Sequence, residues 1–246
     1  MNRSRTPGSV PVIVLLVLLV GVAAGLVLPG WLRRFDSSAA LAKSANNLLQ
    51  WGIALNLYLA DNNDRLPEAG GDLPSPDRPN AWYNALPEYL SFSALTALPK
   101  DERPLPGQDS IWVDPLATPQ EARTSWGEFF FSYGMNYWLQ PIEDEPSFRI
   151  HDIRNPALVL FMAPTSGPRP GIAPETVIFR GAKAGDNTAA VPVLFTDGHV
   201  ELKTRAEITK QPRSNAHVAL WLPNDDAPDA SRTGVNLQPL FQQLNE

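Results

Sequence analysis

Asp197 and His199 come closest, by type and spacing, to residues that could do acid–base chemistry. A histidine held by a carboxylate can act as a general base. The pair flanks Gly198, however, and Asp-Gly between two β-rich segments is typical of a hairpin turn. The chain has three histidines and no cysteine, and it lacks the nucleophile, zinc-protease and phosphate-loop motifs. We therefore interpret Asp197, Gly198 and His199 as a structural turn motif and predict a protein that is not an enzyme.

Two clusters of oxygen-bearing side chains could bind calcium. They consist of Asp61, Asn63 and Asp64, and of Asn224, Asp225, Asp226 and Asp229. Carboxylate and amide oxygens suit calcium, but neither cluster has the spacing of an EF-hand loop. Helix termination and turn formation explain both clusters without a metal. We predict no cofactor, with calcium as the open alternative.

Aromatic residues and charge limit the class of ligand. Five of the seven tryptophans could line a ligand groove or fill an aromatic core: Trp51, Trp82, Trp112, Trp126 and Trp138. The core is the commoner reason for such a set, and no small-molecule substrate is indicated. The residues after Arg34 hold 16 basic and 26 acidic side chains, a net charge of −10, because four arginines and no acid precede them. Such an acidic body is not expected to bind nucleic acid.

An uncharged apolar segment from Val10 to Leu28 predicts a membrane anchor. As a helix it would span about 28 Å, close to the hydrocarbon thickness of a bilayer. Trp31, Arg33 and Arg34 follow it and are typical of residues that anchor a span at the membrane interface. A cleaved secretory signal is the alternative, because Arg3 and Arg5 precede the segment and small residues stand at 22–24.

We accordingly divide the chain into a cytoplasmic N-terminus (1–9), a transmembrane anchor (10–34) and an extracytoplasmic domain with a loop-rich C-terminal tail (35–246). The expected location is the cytoplasmic membrane, crossed once, with the domain on the periplasmic or extracellular side.

Hydrophobic periodicity predicts a long helix followed by a sheet. From Ser37, apolar residues recur at helical spacing until Asp61 and Pro67 end the helix: Leu41, Ala45, Leu48, Trp51, Ile53, Leu55, Tyr58 and Leu59. A short helix is expected over 81–89. The predicted strands are 111–113, 129–133, 157–162, 177–179, 191–195 and 196–202, with 217–222 as an edge strand and a last helix over 235–244. The predicted fold class is α+β, with one long N-terminal helix, half in the membrane and half exposed, packed on an antiparallel sheet.

Several segments, in this order, resemble the type IV pilin and type II secretion pseudopilin family. They are SANNLLQWGIAL (44–55), YLADNNDRLP (58–67), SYGMNY (132–137), NPALVLF (155–161) and FTDGHV (195–200). The last is similar to the Phe-x-Asp-Gly-His-Val turn that closes the sheet in one group of these proteins. The resemblance implies a pilin-like fold and contacts between subunits through the N-terminal helix.

Four features depart from the family pattern. Gly8 is not followed by the phenylalanine of a prepilin cleavage site, and Ile13 stands where the family has a glutamate that pairs with a neighbouring subunit. Asn187 stands where the group has a histidine, and Asp114-Pro115 where it often has Cys-Pro. We therefore expect a divergent, membrane-anchored pseudopilin-like component or accessory of a secretion or pilus apparatus, forming homo- or hetero-oligomers. The alternatives are a membrane-tethered binding module that does not assemble, and an extracytoplasmic enzyme.

Overall fold

The computed structural model describes residues 38–124, 128–140, 146–209 and 220–223. The chain divides into two units, 1–40 and 41–246, and the strands of the sheet all belong to the second. The predicted anchor with Trp31, Arg33 and Arg34, the Asn224–Asp229 cluster and the predicted helix 235–244 lie outside the described residues. Within the described ranges, no helix is both long and apolar enough to cross a membrane.

The first helix, α1, occupies residues 38–61, as the apolar periodicity predicts. Its buried face carries Leu48, Trp51, Leu55, Tyr58 and Leu59. The helix ends in the predicted polar turn. There Asn63 and Asp64 adopt left-handed backbone angles (φ 54° and 61°), and the Asp64 N–H donates to the Leu59 carbonyl at 2.9 Å. Asn and Asp tolerate this conformation better than other side chains, which explains the sharp exit.

Three short α-helices with both ends inside the described ranges follow: α2 (Trp82–Ala85), α3 (Pro119–Thr124) and α4 (Arg205–Thr209). The predicted helix over 81–89 is present in two pieces, because α2 stops before Pro87 and a 3₁₀ turn covers Pro87–Leu90. Proline cannot continue an α-helix at an interior position, which explains the break.

Five strands of the sheet lie in the described part of the chain: β1 (Phe131–Asn136), β2 (Leu160–Gly167), β3 (Gly171–Ile172), β4 (Ala190–Phe195) and β5 (Val200–Thr204). Their order across the sheet is β3-β1-β2-β4-β5. The pairs β1–β2, β2–β4 and β4–β5 are antiparallel, but β3 is parallel to β1. The sheet is therefore mixed, and the prediction of an antiparallel sheet was wrong in this strand. β1 and β4 pair with the two edges of β2, and β3 pairs with the other edge of β1.

Several strand predictions were also wrong. Residues 111–113 form a turn, with the Val113 N–H donating to the Ser110 carbonyl at 3.1 Å, and 177–179 belongs to no strand. Of the predicted edge strand 217–222, Leu220 and Trp221 are helical. Val113, Val177 and Trp221 are all buried, so these segments are apolar because their side chains enter the core and not because their backbones pair. The strands predicted from 129 and 157 begin later, at Phe131 and Leu160.

Aromatic side chains fill the core beneath α1. Trp51 contacts Trp112 and Trp82 edge-on, with ring centroids 4.8 and 5.6 Å apart, and Trp82 also packs on Phe131 at 5.6 Å. Trp138 packs against Trp221 at 5.5 Å. The core interpretation is therefore confirmed for these predicted tryptophans, and Trp126 lies outside the described residues.

Candidate functional site: the outer face of the first helix

Large aliphatic side chains are exposed on the solvent-facing side of α1, between the exposed charges of Lys43 and Asp61. Leu49, Ile53 and Leu57 follow one another at four-residue steps and are 44%, 43% and 47% exposed. Four further exposed residues share this side: Ala42, Asn46, Asn56 and Ala60. We call these seven residues the outer face of α1. A row of exposed large aliphatic side chains on a helix is typical of a protein–protein contact.

Polar residues on the opposite side of α1 fix which face points outward. The Ser44 hydroxyl lies 3.1 Å from the Tyr133 hydroxyl on β1. The Asn47 amide donates to the Val113 carbonyl at 3.1 Å, and the Trp51 indole N–H donates to the Ile111 carbonyl at 3.2 Å. Rotating the helix would leave these buried groups without partners, which costs about 1–3 kcal/mol for each group. The outer face is thus held outward by buried hydrogen bonds.

An ionic triad of Arg180, Asp114 and Glu121 holds in place the 110–121 region, which contacts α1. Arg180 and Asp114 have side chains only 5% and 3% exposed, and their Nη1 and Oδ2 atoms are 2.6 Å apart. Arg180 also binds Glu121 of α3 in a bidentate manner, with N–O distances of 2.8 to 3.1 Å, and donates to the Thr165 carbonyl at 2.5 Å. The guanidinium therefore joins the 110–121 region, whose carbonyls accept from α1, to β2.

The environment of Glu121 lowers the pKa of its carboxyl group. Burial alone would raise the pKa of Glu121, but hydrogen bonds from Arg180 and Thr118 hold it below the ordinary value of 4.5. The ionised form is thus the one that the fold stabilises.

The pKa values of the tyrosines give a test of this packing. The chain has five tyrosines, and the pKa of each is raised above 10.0, with burial as the largest cause in every case. Because the folded state holds these protons more tightly than the unfolded state, their contribution to stability is present below pH 10 and is lost as the pH rises further. We expect phenolate absorbance to appear later in alkaline titration of the folded protein than of the protein in denaturant. Coincident titration curves would contradict the packing.

The β4–β5 hairpin docks on α1 through two glycines. The loop is formed by Thr196, Asp197 and Gly198, with the Phe195 N–H donating to the His199 carbonyl at 2.9 Å and Gly198 at φ 92°. The predicted turn is confirmed, although the loop has three residues and not two. A Cβ on Gly52 of α1 would lie 2.7 Å from the Gly198 carbonyl oxygen. The helix and the turn therefore meet backbone to backbone.

Asp197 and His199 interact within this turn. The His199 Nδ1 is 2.6 Å from the Asp197 Oδ1, which also accepts from the His199 backbone N–H at 3.1 Å. The imidazole stacks on Phe195, with ring centroids 4.4 Å apart. One aspartate oxygen thus caps the loop and orients the ring.

The first calcium candidate lies in the exit from α1. Asp61 is the last helical residue, and Asn63 and Asp64 form the left-handed turn after it. Across the described ranges, no group of three or more His, Asp or Glu side chains is placed to hold a metal ion.

Sequence reasoning missed the residues that define this site. It placed Ile53 on the buried stripe, where the structure exposes it, and it assigned no role to Leu49, Leu57 or Arg180. The four-residue steps from Leu49 to Leu57 were visible in the sequence, but α1 has apolar residues on several sides. Arg180 had no local signal, because Asp114 and Glu121 are distant along the chain.

Comparisons with protein-family models, with curated proteins and with solved structures gave no match. The pilin-like resemblance therefore stays a prediction that rests on five segments of the sequence.

Proposed function

We propose that this chain is a non-enzymatic, membrane-anchored component of a pseudopilus- or pilus-like assembly. In this proposal residues 10–34 span the cytoplasmic membrane with the N-terminus inside, and the domain lies on the periplasmic or extracellular side. The outer face of α1 contacts another subunit of the assembly. The observation that carries the proposal is the line of exposed Leu49, Ile53 and Leu57 on a helix whose opposite side is locked to the domain.

The composition of the outer face supports a helix–helix contact. Three large aliphatic side chains that are nearly half exposed would contribute on the order of 3 kcal/mol if a partner covered them. Ala42 and Ala60 allow a close approach of a second helix. Lys43 lies beside this face and forms an ion pair with Asp109 at 2.5 Å, so its charge is compensated within the domain.

A membrane-tethered binding module that does not assemble is the second candidate. The specific observation in its favour is Ile13, which stands where pilin-like subunits have the glutamate that pairs with a neighbour. In that case the outer face would bind a different protein or remain exposed, and copies of the chain would not contact one another through α1.

Cysteine cross-linking separates these candidates, because the chain has no cysteine of its own. Leu49→Cys, Ile53→Cys and Leu57→Cys would each be produced in the full chain and labelled in native membranes with a thiol-specific photo-cross-linker. We expect cross-linked species at all three positions, because they line the same contact. Leu105→Cys is the matched control, since Leu105 is 48% exposed but lies in a loop and not on α1.

Equal cross-linking of Leu105→Cys and Ile53→Cys would contradict a specific contact. Absence of cross-links at all three helix positions, in membranes where the protein is present in full amount, would exclude assembly through this face.

A further inference from the structure

A polar cavity of about 300 Å³ lies where α1 ends. Tyr58, Asp61 and Asn63 line it from the helix and its exit, and Glu68 and Asn80 line it from the segments that follow. Backbone pairing holds these walls, because the Glu68 N–H donates to the Asn80 carbonyl and the Trp82 N–H donates to the Glu68 carbonyl, both at 2.9 Å. The cavity is therefore preformed.

Tyr58 contributes its hydroxyl group to the lining of this cavity. The residue is only 6% exposed, and its ring is held by an edge-on contact with Tyr89 at 6.0 Å between centroids. The hydroxyl is not one of the buried, unpartnered side-chain atoms of the described residues, and no protein group there accepts from it or donates to it, so it is open to a bond with a molecule in the cavity. Burial, followed by the charge of Glu68, raises the pKa of Tyr58 to about 12, so the hydroxyl stays protonated at neutral pH.

Three further side chains in the cavity lining can accept or donate hydrogen bonds to a ligand. The side chains of Glu68, Asn63 and Asn80 likewise have no hydrogen-bond partner in the described part of the chain. Each amide can both donate and accept, whereas the Glu68 carboxylate accepts only. Asp61 and Glu68 outnumber the one guanidinium in the lining, Arg65, which donates to the Ser147 carbonyl at 2.8 Å. A ligand must therefore carry donors as well as acceptors, and an anion is disfavoured.

We propose that this cavity binds a single non-anionic sugar residue through its hydroxyl groups. Neighbouring hydroxyls of a sugar donate to the Glu68 carboxylate, and other sugar oxygens accept from the Tyr58 hydroxyl and the asparagine amides. The volume is at the lower end for small-molecule sites, as a single hexose ring requires. A simple ammonium ion fits less well, because it has no acceptor for the Tyr58 hydroxyl.

Saturation-transfer NMR on the full chain would test this site. The protein must be purified without a sugar-headed detergent, since such a headgroup would occupy the cavity. The probes are the methyl glycosides of glucose, galactose, mannose and N-acetylglucosamine, with methyl glucuronide as the anionic comparison. We expect at least one neutral glycoside to bind and the glucuronide to bind more weakly.

Substitutions of residues that line the cavity test whether the sugar binds there. Tyr58→Phe keeps the ring contact and is expected to weaken binding about fivefold, whereas Glu68→Gln removes a charged acceptor and should weaken it about tenfold. Asn80→Ala alters an exposed side chain and tests the site without threatening the fold. Tyr83→Phe and Glu88→Gln are matched controls, because neither residue lines the cavity, and both should bind as the unaltered chain does.

No saturation transfer from any neutral glycoside would overturn the proposal, as would equal binding of the glucuronide. Binding that survives unchanged in Tyr58→Phe, Glu68→Gln and Asn80→Ala would place the sugar elsewhere and also overturn it. The cavity shares no residue with the outer face of α1, so this result and the cross-linking result can fail independently.

Discussion

Replacing Arg180 with methionine is expected to lower the free energy of unfolding by about 3–5 kcal/mol. The guanidinium is almost fully buried and compensates two carboxylates, Asp114 and Glu121. Methionine fills much of the same space but leaves the two acids facing each other with no cation. The cost is that of buried, uncompensated charge and is larger than the loss of hydrogen bonds alone.

Denaturant unfolding would measure this effect, with Lys43→Met as the control. Lys43 and Asp109 approach to 2.5 Å, but their side chains are 47% and 83% exposed. An exposed pair contributes at most about 1 kcal/mol, so this variant should unfold close to the unaltered protein. Adding Asp114→Asn and Glu121→Gln to Arg180→Met should recover much of the loss, because no net charge then remains buried. Equal effects of Arg180→Met and Lys43→Met would contradict the buried triad.

The triad also sets a direction of pH dependence. The pKa of Glu121 is lowered in the folded state, so the unfolded chain binds its proton more readily. Its contribution is present above the ordinary value of 4.5 and is lost as the pH falls through the lower folded value. We expect Glu121→Gln to flatten part of the loss of stability in acid.

Replacing Gly52 with valine is expected to lower the free energy of unfolding by about 3 kcal/mol. A Cβ at this position would lie 2.7 Å from the Gly198 carbonyl oxygen and 2.9 Å from Leu194 Cδ1. Neither the hairpin backbone nor the buried leucine can move away without disturbing the sheet. The helix would therefore be pushed off the β4–β5 turn.

For Gly52→Ala, the test is whether the substitution stabilises or destabilises the protein. Alanine in place of glycine normally stabilises a helix interior by about 1 kcal/mol, but here the added methyl group enters the helix–turn contact. We expect Gly52→Ala to destabilise the protein, while Asn46→Ala on the outer face of α1 should stabilise it slightly. Thermal unfolding followed by circular dichroism would compare them. Stabilisation by both variants would show that the close contact with Gly198 is absent.

The sequence carried enough information for the elements whose causes are local. The end of α1 depends on adjacent Asn and Asp residues and Pro67, and the β4–β5 turn depends on Asp197 and Gly198. The position of each was predicted because a few neighbouring residues determine the backbone conformation, although the hairpin loop is one residue longer than predicted. The segments 111–113 and 177–179 were misread as strands, since an apolar triplet does not reveal whether its backbone has a pairing partner.

Local sequence patterns were enough to predict a helix followed by a sheet, the end of that helix and the position of the last hairpin turn. The side of α1 that faces outward depends instead on contacts with distant segments. Apolar residues lie on more than one side of the helix, and the buried side is chosen by Tyr133 and by the carbonyls of Ile111 and Val113, which are more than 50 residues away. The same holds for the Arg180 triad, for the parallel pairing of β3 and for the cavity lined by Tyr58. Each depends on contacts between distant segments, and such contacts leave no periodic pattern in the chain.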